Sequence, residues 1–360
     1  MFTPTNQTSA IRIALILRDG LTYPSSSAFI RLLSPLTDRS MRGKLVLKIY
    51  PQNTTQIDQV DICIVQRTAF DQLNEAEVLI NNLRSAGIPL VVDTDDAFHI
   101  IDSEHPEESL HRGALVAFDH LIKNANRVWV STARLKSLLK AQTDKVIVIP
   151  NSLDKRLWLS NPTTATQTEA LGPLRILYMG TVSHDADWEM IFPVLSKLAD
   201  QKPESFELTV IGVSRDRPLR PWIKRLYQQR NGSIYPRFVP WFLKQGSFDV
   251  GLSPLVDSGF NLNKSDIKAL DYLAAGAMPV VSNLEPYATN GLDSLVVRVN
   301  NSPQDWETVL AKLIADPITF RNSNKATLAK AQKYIWQERS SEMTAKLIYK
   351  QLLALTNKRP

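Results

Sequence analysis

Short apolar runs, each about the length of a buried β-strand, alternate with helical segments along the chain. The first four runs cover residues 11–17, 45–49, 60–65 and 90–93, and a helix is predicted between the last two. This alternation is typical of a doubly wound α/β domain with a parallel sheet. Ligands of such domains bind beyond the carboxyl ends of the strands, so the polar residues that follow each strand are the first candidates for a functional site.

The same pattern starts again in the second half of the chain, which predicts a second domain. Residues 161–172 are rich in Thr, Ala and Gln without periodicity and are the best candidate for a linker. The strand-like run 174–180 follows this linker. The chain has 360 residues, which suffices for two domains with cores of ordinary size.

The composition places the chain among globular proteins and excludes several classes. Hydrophobic residues make up 44%, and no apolar run approaches the roughly 18 residues that span a bilayer. The single cysteine, Cys63, excludes a disulfide framework. Residues 1–10 lack the apolar core of a signal peptide, so we expect a cytoplasmic protein. The net charge of +6 favours anionic ligands or peripheral contact with an anionic membrane, but it is too diffuse to indicate nucleic-acid binding.

The most informative stretch covers residues 260–282 and is predicted to form a loop, a short helix and a strand. Ser265 is a candidate N-cap of the helix, and a glycine five residues after Asp271 is a natural stop. Lys264, Lys268 and Asp271 recur at positions i, i+4 and i+7 and therefore form one polar stripe. Two lysines beside the unpaired N–H groups of a helix N-terminus suit a phosphate, and the carboxylate suits sugar hydroxyls. A solvated face with a Lys268–Asp271 ion pair explains the same pattern equally well.

This stretch resembles the signature of retaining GT-B glycosyltransferases, specifically glycosyltransferase family 4. That family carries a Glu, seven residues, a second Glu, a helix end with Gly, and a strand of Pro-Val-Val type. Asp271 stands five residues before Gly276, at the family's second Glu, which typically holds the ribose of the nucleotide. Asn263 stands at the first Glu, which typically meets the hydroxyls of the donor sugar. Both positions depart from Glu, which puts the sugar specificity in doubt more than the fold.

The turn after residues 174–180 departs furthest from the family. An Arg directly after the glycine and a Lys a few residues later usually contact the diphosphate in the family. Here Thr181 follows Gly180, and no Lys or Arg occurs before residue 187. The two lysines of the polar stripe would then neutralise the diphosphate, with His184 or Arg215 in support. His184 is expected either to donate to a phosphate oxygen or to cap the following helix.

Further stretches resemble the family. Residues 150–154 resemble the link from the first domain to the second, and residues 248–255 resemble the strand that runs into the donor loop. Residues 237–241 lie where the family's loop often receives the nucleobase through backbone groups. The resemblance and the polar stripe together predict a donor-binding set that comprises Gly180, Thr181, His184, Val239, Asn263, Lys264, Ser265, Lys268 and Asp271.

Polar residues after two strands of the first domain are candidates for the acceptor side. Ser26 and Ser27 precede a predicted helix and offer hydroxyl groups, although plain loop residues are the simpler interpretation. Asp95, Asp96 and His99 follow the fourth strand, and the resemblance implies that they orient acceptor hydroxyls or the donor. A capping and turn cluster is the alternative for these three residues.

The tripeptide Asp93-Thr94-Asp95 also matches the Asp-x-Asp of GT-A glycosyltransferases. The carboxylates of that motif hold a divalent cation on the diphosphate of the donor. The tripeptide is short and common, so the match is weak. A metal-dependent GT-A-like transferase is therefore an alternative, whereas the GT-B resemblance implies a reaction without a metal or another cofactor.

The resemblance implies a GT-B fold with two Rossmann-like, doubly wound α/β domains that face each other across a cleft. The N-terminal acceptor-side domain is expected over 1–160 and the C-terminal donor domain over 161–335, and a C-terminal helix in 336–360 is expected to pack back on the first domain. The implied function is transfer of a sugar, with retention, from a nucleotide-diphosphate sugar to a glycan or glycolipid acceptor.

Three residues are the expected catalytic groups under this resemblance. Lys264 would stabilise the leaving diphosphate, Asn263 would hold the sugar, and His99 would lie beside the acceptor. Two further alternatives concern the same donor site. A non-catalytic nucleotide-sugar-binding protein would bind the donor without turnover, and a GT-B epimerase would convert it without an acceptor.

Overall fold

The computed structural model describes residues 10–18, 24–103, 105–159, 172–212, 220–227, 234–288 and 291–356. The predicted linker, up to residue 171, and Arg215 lie outside these residues. The contacts divide the chain into two compact units. Unit 1 comprises the residues up to 99, 110–150 and those from 341 onward, and unit 2 comprises 100–109 and 151–340. The boundaries thus fall after residues 150 and 340, where the sequence suggested 160 and 335, and residues 100–109 belong to unit 2.

Each unit contains a six-stranded parallel sheet. The strands of unit 1 are β1 (Ile11–Leu17), β2 (Leu45–Pro51), β3 (Ile62–Gln66), β4 (Leu90–Thr94), β5 (Arg127–Val130) and β6 (Val146–Val148). The strands of unit 2 are β7 (Leu174–Gly180), β8 (Phe206–Gly212), β9 (Ile223–Leu226), β10 (Val250–Ser253), β11 (Met278–Ser282) and β12 (Val297–Val299).

The order of the strands locates the crevice of each sheet. In unit 2 the order is β12-β11-β10-β7-β8-β9, so β7 and β10 are neighbours although β8 and β9 lie between them in the sequence. In unit 1 the order is β2-β1-β3-β4-β5-β6. A reversal of strand order opens a crevice at the carboxyl ends of the strands on either side of it. The predicted α/β class with two doubly wound domains is confirmed.

Helices connect the strands and cover the sheets. In chain order they are α1 (Ser26–Ala28), α2 (Ser34–Leu36), α3 (Leu73–Ser85), α4 (Glu108–Arg112), α5 (Leu115–Asn124), α6 (Ala133–Leu139), α7 (Lys155–Trp158), α8 (Asp185–Gln201), α9 (Tyr235–Phe242), α10 (Ile267–Ala274), α11 (Pro303–Ala315), α12 (Pro317–Glu338) and α13 (Ser341–Thr356).

The first helical segment continues past a proline. A π-helical turn, Phe29–Leu33, joins α1 to α2, and the N–H of Ser34 bonds to the carbonyl of Phe29. Pro35 lies in the first turn of α2, where a missing N–H costs little. The π-helical turn carries Arg31, whose side chain is buried.

A C-terminal helix was expected in 336–360, and the structure has α13 there after a break at residues 339–340. Leu153 forms an isolated parallel bridge with Ser340, and its N–H donates to the carbonyl of Arg339 at 2.9 Å. This carbonyl is therefore withdrawn from a helical ladder, and α12 ends before it. After the break, α13 belongs to unit 1, where Ile348 and Leu352 are fully buried in the core beside β1 and β3.

Each sheet has its own apolar core. Trp188 and Trp306, on α8 and α11, are buried against β7, β8 and β10 in unit 2. Trp129, on β5, is buried in the core of unit 1. Among the described residues, no helix is both long enough and apolar enough to cross a membrane.

Candidate functional site

Helix α10 is anchored across the crevice of unit 2. The ring of Tyr272 packs on Gly251 of β10 so closely that a Cβ there would overlap the ring. The Tyr272 hydroxyl donates to the carbonyl of Leu252 at 2.8 Å and accepts the N–H of Met179 at 3.2 Å. Because Met179 lies in β7 and Leu252 in β10, one side chain of α10 bridges the two strands at which the strand order reverses.

The start of α10 differs from the prediction. Asp266, and not Ser265, is the N-cap residue, and its carboxylate makes no capping hydrogen bond to the helix. The carboxylate instead accepts two hydrogen bonds from Arg339, at 2.6 Å each. The Ser265 hydroxyl accepts from the side-chain amide of Asn151 at 2.7 Å. A buried guanidinium therefore draws the carboxylate away from the helix N–H groups.

Two lysines and a histidine–aspartate pair share the site at the start of α10. Nδ1 of His184 lies 2.7 Å from the Asp187 carboxylate, whose other oxygen accepts the N–H of Val256 at 2.7 Å. Burial lowers the pKa of His184 to about 3, and the charges of Lys268 and Lys264 act in the same direction. Burial raises the pKa of Asp187, but the hydrogen bond from His184 and the two lysines outweigh it and lower that pKa. Asp187 is therefore ionised and His184 neutral near pH 7.

The protonation of His184 decides what its ring can bind. A carboxylate only accepts hydrogen bonds, so Nδ1 of the neutral ring donates and Nε2 is left as an acceptor. In this state His184 cannot donate from Nε2 to a phosphate oxygen, which was one of its two expected roles. Its side chain makes no capping hydrogen bond to α8 either, which was the other. The site is thus suited to a hydroxyl at this nitrogen.

The charge of Lys268 depends on its surroundings. Burial is the largest effect and lowers the pKa of this lysine to about 7. Lys264 also lowers this pKa, whereas Asp187 and Asp271 raise it. Lys268 is therefore close to half-protonated at neutral pH. A bound anion would favour its charged form, because an opposite charge nearby raises the pKa of an ammonium group.

Asp271 presents a buried oxygen that has no partner. Its Oδ1 is buried and accepts no hydrogen bond from any of the described residues. Burial raises the pKa of this carboxyl well above its ordinary value, and Lys268 acts against the rise. The predicted ion pair between the two side chains does not occupy this oxygen. Buried polar atoms are usually hydrogen-bonded, so an unpartnered carboxylate oxygen indicates a place for a ligand hydroxyl.

The loop before α10 carries the other predicted donor residues. Asn263 is buried, and its amide donates to the carbonyl of Gly259 at 2.8 Å. The Lys264 ammonium lies 5.2 Å from the centre of the Phe260 ring. The ring of His105 packs edge to face on the same phenylalanine at 5.0 Å. His105 is not among the predicted donor-binding residues, because it is far from α10 in the sequence.

The turn after β7 is polar and closely packed. Gly180 pairs with Gly212 at the ends of β7 and β8, and a Cβ on Gly212 would overlap the Gly180 carbonyl oxygen. The Thr181 hydroxyl bonds to that of Ser183 at 2.7 Å. The turn thus supplies hydroxyl and backbone groups but no cation, as the sequence indicated.

The segment 237–241 was expected to be a loop and is helical. It lies in α9, and the carbonyl of Val239 accepts the N–H of Leu243 at 3.0 Å. The side chain of Val239 is fully buried. Pro236 and Pro240 suggested a loop, but Pro236 lies in the first turn of the helix, where proline is tolerated. The carbonyl of Val239 is thus engaged within the helix, and its contact with a nucleobase stays a prediction.

A network of arginines and carboxylates lies at the carboxyl ends of β3 and β4 in unit 1. Arg67 bonds to Asp95 through Nε and to Asp96 through Nη2, at 2.7 Å each. The Ser27 hydroxyl donates to Asp95 at 2.7 Å. Burial raises the pKa of Asp95, but Arg67 and Arg31 outweigh this effect and lower it. Ser27, Asp95 and Asp96 are thus brought together, as expected for one site.

Ser26 and His99 do not join this network. Ser26 is exposed, while the preceding Ser25 caps α1. Nε2 of His99 bonds to Asp119, and the Gln142 amide lies 3.3 Å from both partners. His99 therefore belongs to a cluster with Asp119 of α5 and Gln142, which follows α6.

Arg67 is the functional candidate of unit 1 that the sequence did not indicate. Its φ of 53° is left-handed, which is uncommon for a residue other than glycine. Its backbone N–H donates to the Asp93 carbonyl at 2.7 Å, and its guanidinium lies 5.3 Å from the centre of the Phe98 ring. Backbone strain of this kind persists only where the surroundings impose it, and it concentrates at functional sites.

The Asp-x-Asp tripeptide has arginine partners. Asp93 is fully buried and pairs with Arg31 at 2.5 Å, while Asp95 pairs with Arg67. Among the described residues, no group of three or more His, Cys, Asp or Glu side chains has an arrangement that could hold a metal ion. The geometry of these carboxylates therefore does not favour the GT-A-like alternative.

Several solved structures share this fold. HepE of Anabaena in complex with UDP and glucose superposes with a TM-score of 0.64 at 11% identity, covering 96% of this chain and 100% of that chain. The trehalose-6-phosphate synthase OtsA gives a TM-score of 0.62 at 12% identity, covering 95% and 98%. An α-glucosyltransferase in complex with UDP-glucose and DNA gives 0.59 at 13%, covering 95% and 99%.

The chain has the GT-B fold of these glycosyltransferases, as the resemblance implied. The sequence itself matches no protein-family model and no curated protein. At identities of 11–13% the likeness concerns the fold, so the chemistry of the site has to be argued from its own residues.

Proposed function

We propose that the protein is a retaining glycosyltransferase that takes its sugar from a nucleotide-diphosphate donor without a metal ion. The observation that carries the proposal is the arrangement on α10. Lys264 lies in the loop before α10, and Lys268 and the unpartnered oxygen of Asp271 lie on this helix, which Tyr272 fixes at the crevice of unit 2. Cations for a diphosphate and an acceptor for ribose hydroxyls thus stand at the position where doubly wound sheets bind ligands.

The proposed chemistry needs positioning and electrostatic stabilisation. Lys264 and Lys268 would bind the diphosphate and stabilise the negative charge that develops on it as the bond to the sugar breaks. Asp271 would accept hydrogen bonds from the ribose, and Asn263 with nearby carbonyls would hold the sugar. Nε2 of the neutral His184 would accept from a hydroxyl. No protein nucleophile is required.

Two structures of the same fold support a nucleotide-sugar donor. HepE was solved with UDP and with glucose, and a trehalose-6-phosphate synthase from E. coli was solved with a fluorinated UDP-glucose. Glycosyl transfer with retention was studied in trehalose-6-phosphate synthase. For this chain, retention and the identity of the base belong to the proposal.

The network in unit 1 is the proposed place of acceptor binding. Ser27, Asp95 and Asp96 offer hydroxyl and carboxylate groups that suit the hydroxyls of a glycan or glycolipid. Ser26 and His99 are proposed for the same role, although in the structure neither contacts the network. Arg67 would hold the two carboxylates in place.

The first experiment measures thermal stabilisation by ADP, CDP, GDP, UDP and dTDP, with and without EDTA. A ligand that binds only the native state at 100 times its Kd adds about 2.7 kcal/mol to the free energy of unfolding. We expect one base to raise the Tm with or without EDTA. The Asp271→Asn variant should lose most of this shift, yet keep about the wild-type Tm without ligand, because the Oδ1 atom of Asp271 makes no hydrogen bond that the substitution could break.

The matched control is Asp249→Asn in the same unit. Asp249 pairs with Arg321 at 2.8 Å, at the amino end of β10. This variant should lower the Tm without ligand and keep the nucleotide-induced shift. A wild-type protein that no nucleoside diphosphate stabilises would refute the proposed donor site, and a shift that needs a metal would favour Asp93 and Asp95.

A non-catalytic nucleotide-sugar-binding protein is the second candidate. The turn after β7 favours it, because Thr181 and Ser183 stand where a transferase of this kind usually carries cations. Such a protein would show the nucleotide-induced shift but release no nucleoside diphosphate from a nucleotide sugar. Measured release of the diphosphate, with or without added acceptors, distinguishes the two candidates.

A further inference from the structure

Arg339 makes a buried, two-pronged contact to the start of α10. It lies in the break between α12 and α13, and its side chain is 12% exposed, while that of Asp266 is 4% exposed. Nη1 and Nη2 each bond to one oxygen of the Asp266 carboxylate at 2.6 Å. Both geometry and length are those of a strong, charge-assisted pair.

The same guanidinium holds a second segment of unit 2. Nη2 and Nε donate to the carbonyl of Asn151 at 3.0 and 3.3 Å. The Asn151 amide in turn donates to Ser265, directly before Asp266. Leu153, two residues further, donates its N–H to the Arg339 carbonyl. The first and last segments of the 151–340 stretch are thus tied to each other and to the first residues of α10.

The pair also controls charge beside the lysines. Asp266 stands between Lys264 and Lys268 in sequence, and as an N-cap residue it would ordinarily bond to the N–H groups of the first helical turn. Here it makes no such bond, because its carboxylate is engaged with Arg339. The negative charge of Asp266 is therefore neutralised by the guanidinium of Arg339.

We propose that Arg339 is a positioning residue for donor binding, which sets the start of α10 and shields the diphosphate from the Asp266 carboxylate. The inference rests on the proposed donor site. It predicts that loss of Arg339 weakens nucleotide binding by leaving an uncompensated carboxylate beside Lys264 and Lys268. A purely structural role would lower stability without a selective effect on the nucleotide.

The test measures, by calorimetry, the Kd of the nucleoside diphosphate that stabilises the wild type best. We expect Arg339→Met to raise this Kd about tenfold or more, which corresponds to about 1.4 kcal/mol. Arg339→Lys, which keeps the charge but not the two-pronged contact, should lie between this variant and the wild type. The double variant Arg339→Met/Asp266→Asn should recover most of the lost affinity, because the uncompensated charge is gone.

Arg321→Met is the matched control. Arg321 also makes a two-pronged contact to an aspartate, Asp249, and donates to backbone carbonyls in unit 2, but at the amino end of the sheet. Its loss should lower the Tm and leave the Kd unchanged. Any one of three results would overturn this inference but not the proposed function. They are an unchanged Kd in Arg339→Met, an equal loss of affinity in Arg321→Met, and no recovery of affinity in the double variant. Failure of the wild type to bind any nucleoside diphosphate would overturn the proposed function as well.

Discussion

The pKa of Lys268 shows how strongly the charge of one side chain depends on the residues around it. Its pKa is lowered to about 7 by burial, and Lys264 nearby adds to the effect. The polar stripe of the sequence identified this lysine, but an exposed lysine at the same position would titrate far above neutral pH. The charge state of Lys268 depends on how α10 packs at the crevice of unit 2. The local sequence pattern does not reveal this packing.

A pH-dependent affinity for the donor follows from this pKa. A diphosphate prefers the ammonium form, so binding has to raise the pKa of Lys268 above its value in the free protein. Affinity should therefore be greatest below pH 7 and fall by up to about tenfold per pH unit as the pH rises above 7. Calorimetry of the matching nucleotide sugar, in buffers of different ionisation enthalpy, should detect proton uptake at pH 7.5.

A nucleotide sugar is the better probe here, because its esterified diphosphate does not titrate near neutral pH. Lys268→Met should bind more weakly at pH 6 and show no proton uptake. His184 cannot produce the effect, since its pKa of about 3 keeps it neutral throughout this range. An affinity of the wild type that stays constant between pH 6 and 9 would contradict the assigned pKa or the contact with the diphosphate.

The helices and strands were predictable to different degrees. β1 and β7 have the predicted bounds, because each is a continuous apolar run between polar or turn residues. α9 was missed, since two prolines in eight residues suggest a loop and its burial on unit 2 overrides them. The break at Arg339 was also missed. It arises from the bridge to Leu153, a contact over more than 180 residues that carries no local signal.

The position of α10 depends on one close contact. The ring of Tyr272 lies on Gly251, and its hydroxyl bonds to both β7 and β10. Gly251→Ala should force the helix away from the sheet and destabilise the protein by about 1–3 kcal/mol, as overpacking does. Tyr272→Phe keeps the ring but removes both hydrogen bonds, at a cost of about 1–3 kcal/mol for the buried groups left unpaired.

Urea unfolding measures the loss of stability in both variants. Their nucleotide affinity should also fall, because a shift of α10 displaces the two lysines. Gly172→Ala is the control, since a Cβ there meets no atom within 4 Å. It should leave stability and affinity at wild-type values. A Gly251→Ala variant as stable as the wild type would show that Tyr272 does not fix the helix.

At the scale of the whole molecule, the fold could be predicted from the sequence. Which segments of the chain belong to each unit could not. The repeated alternation of strand and helix implied two doubly wound domains, and the structure has them. The donor helix was recognisable because its lysines and carboxylate lie within eight residues. Arg339 and His105 were not predicted as site residues. Both are distant from α10 in the sequence, and only the folding of their segments into unit 2 brings them near it.

The net charge of +6 is a property of the whole molecule. We expect the protein to co-sediment with vesicles that contain anionic lipid and not with vesicles of phosphatidylcholine alone, because a basic surface gains about 1 kcal/mol per Lys or Arg near an anionic bilayer. The binding should weaken at high salt, which screens exposed charges. Equal binding to both kinds of vesicle, or binding to neither, would contradict the predicted peripheral contact.

The assignment of α13 to unit 1 has a consequence for the order in which the chain becomes complete during synthesis. Ile348 and Leu352 fill the core beside β1, which is translated long before them. Unit 1 can therefore close its core only after α13 has been translated. Unit 2 comprises residues up to 340 and can form its core earlier. Removal of α13 would consequently damage unit 1, whose strands all precede it in the chain.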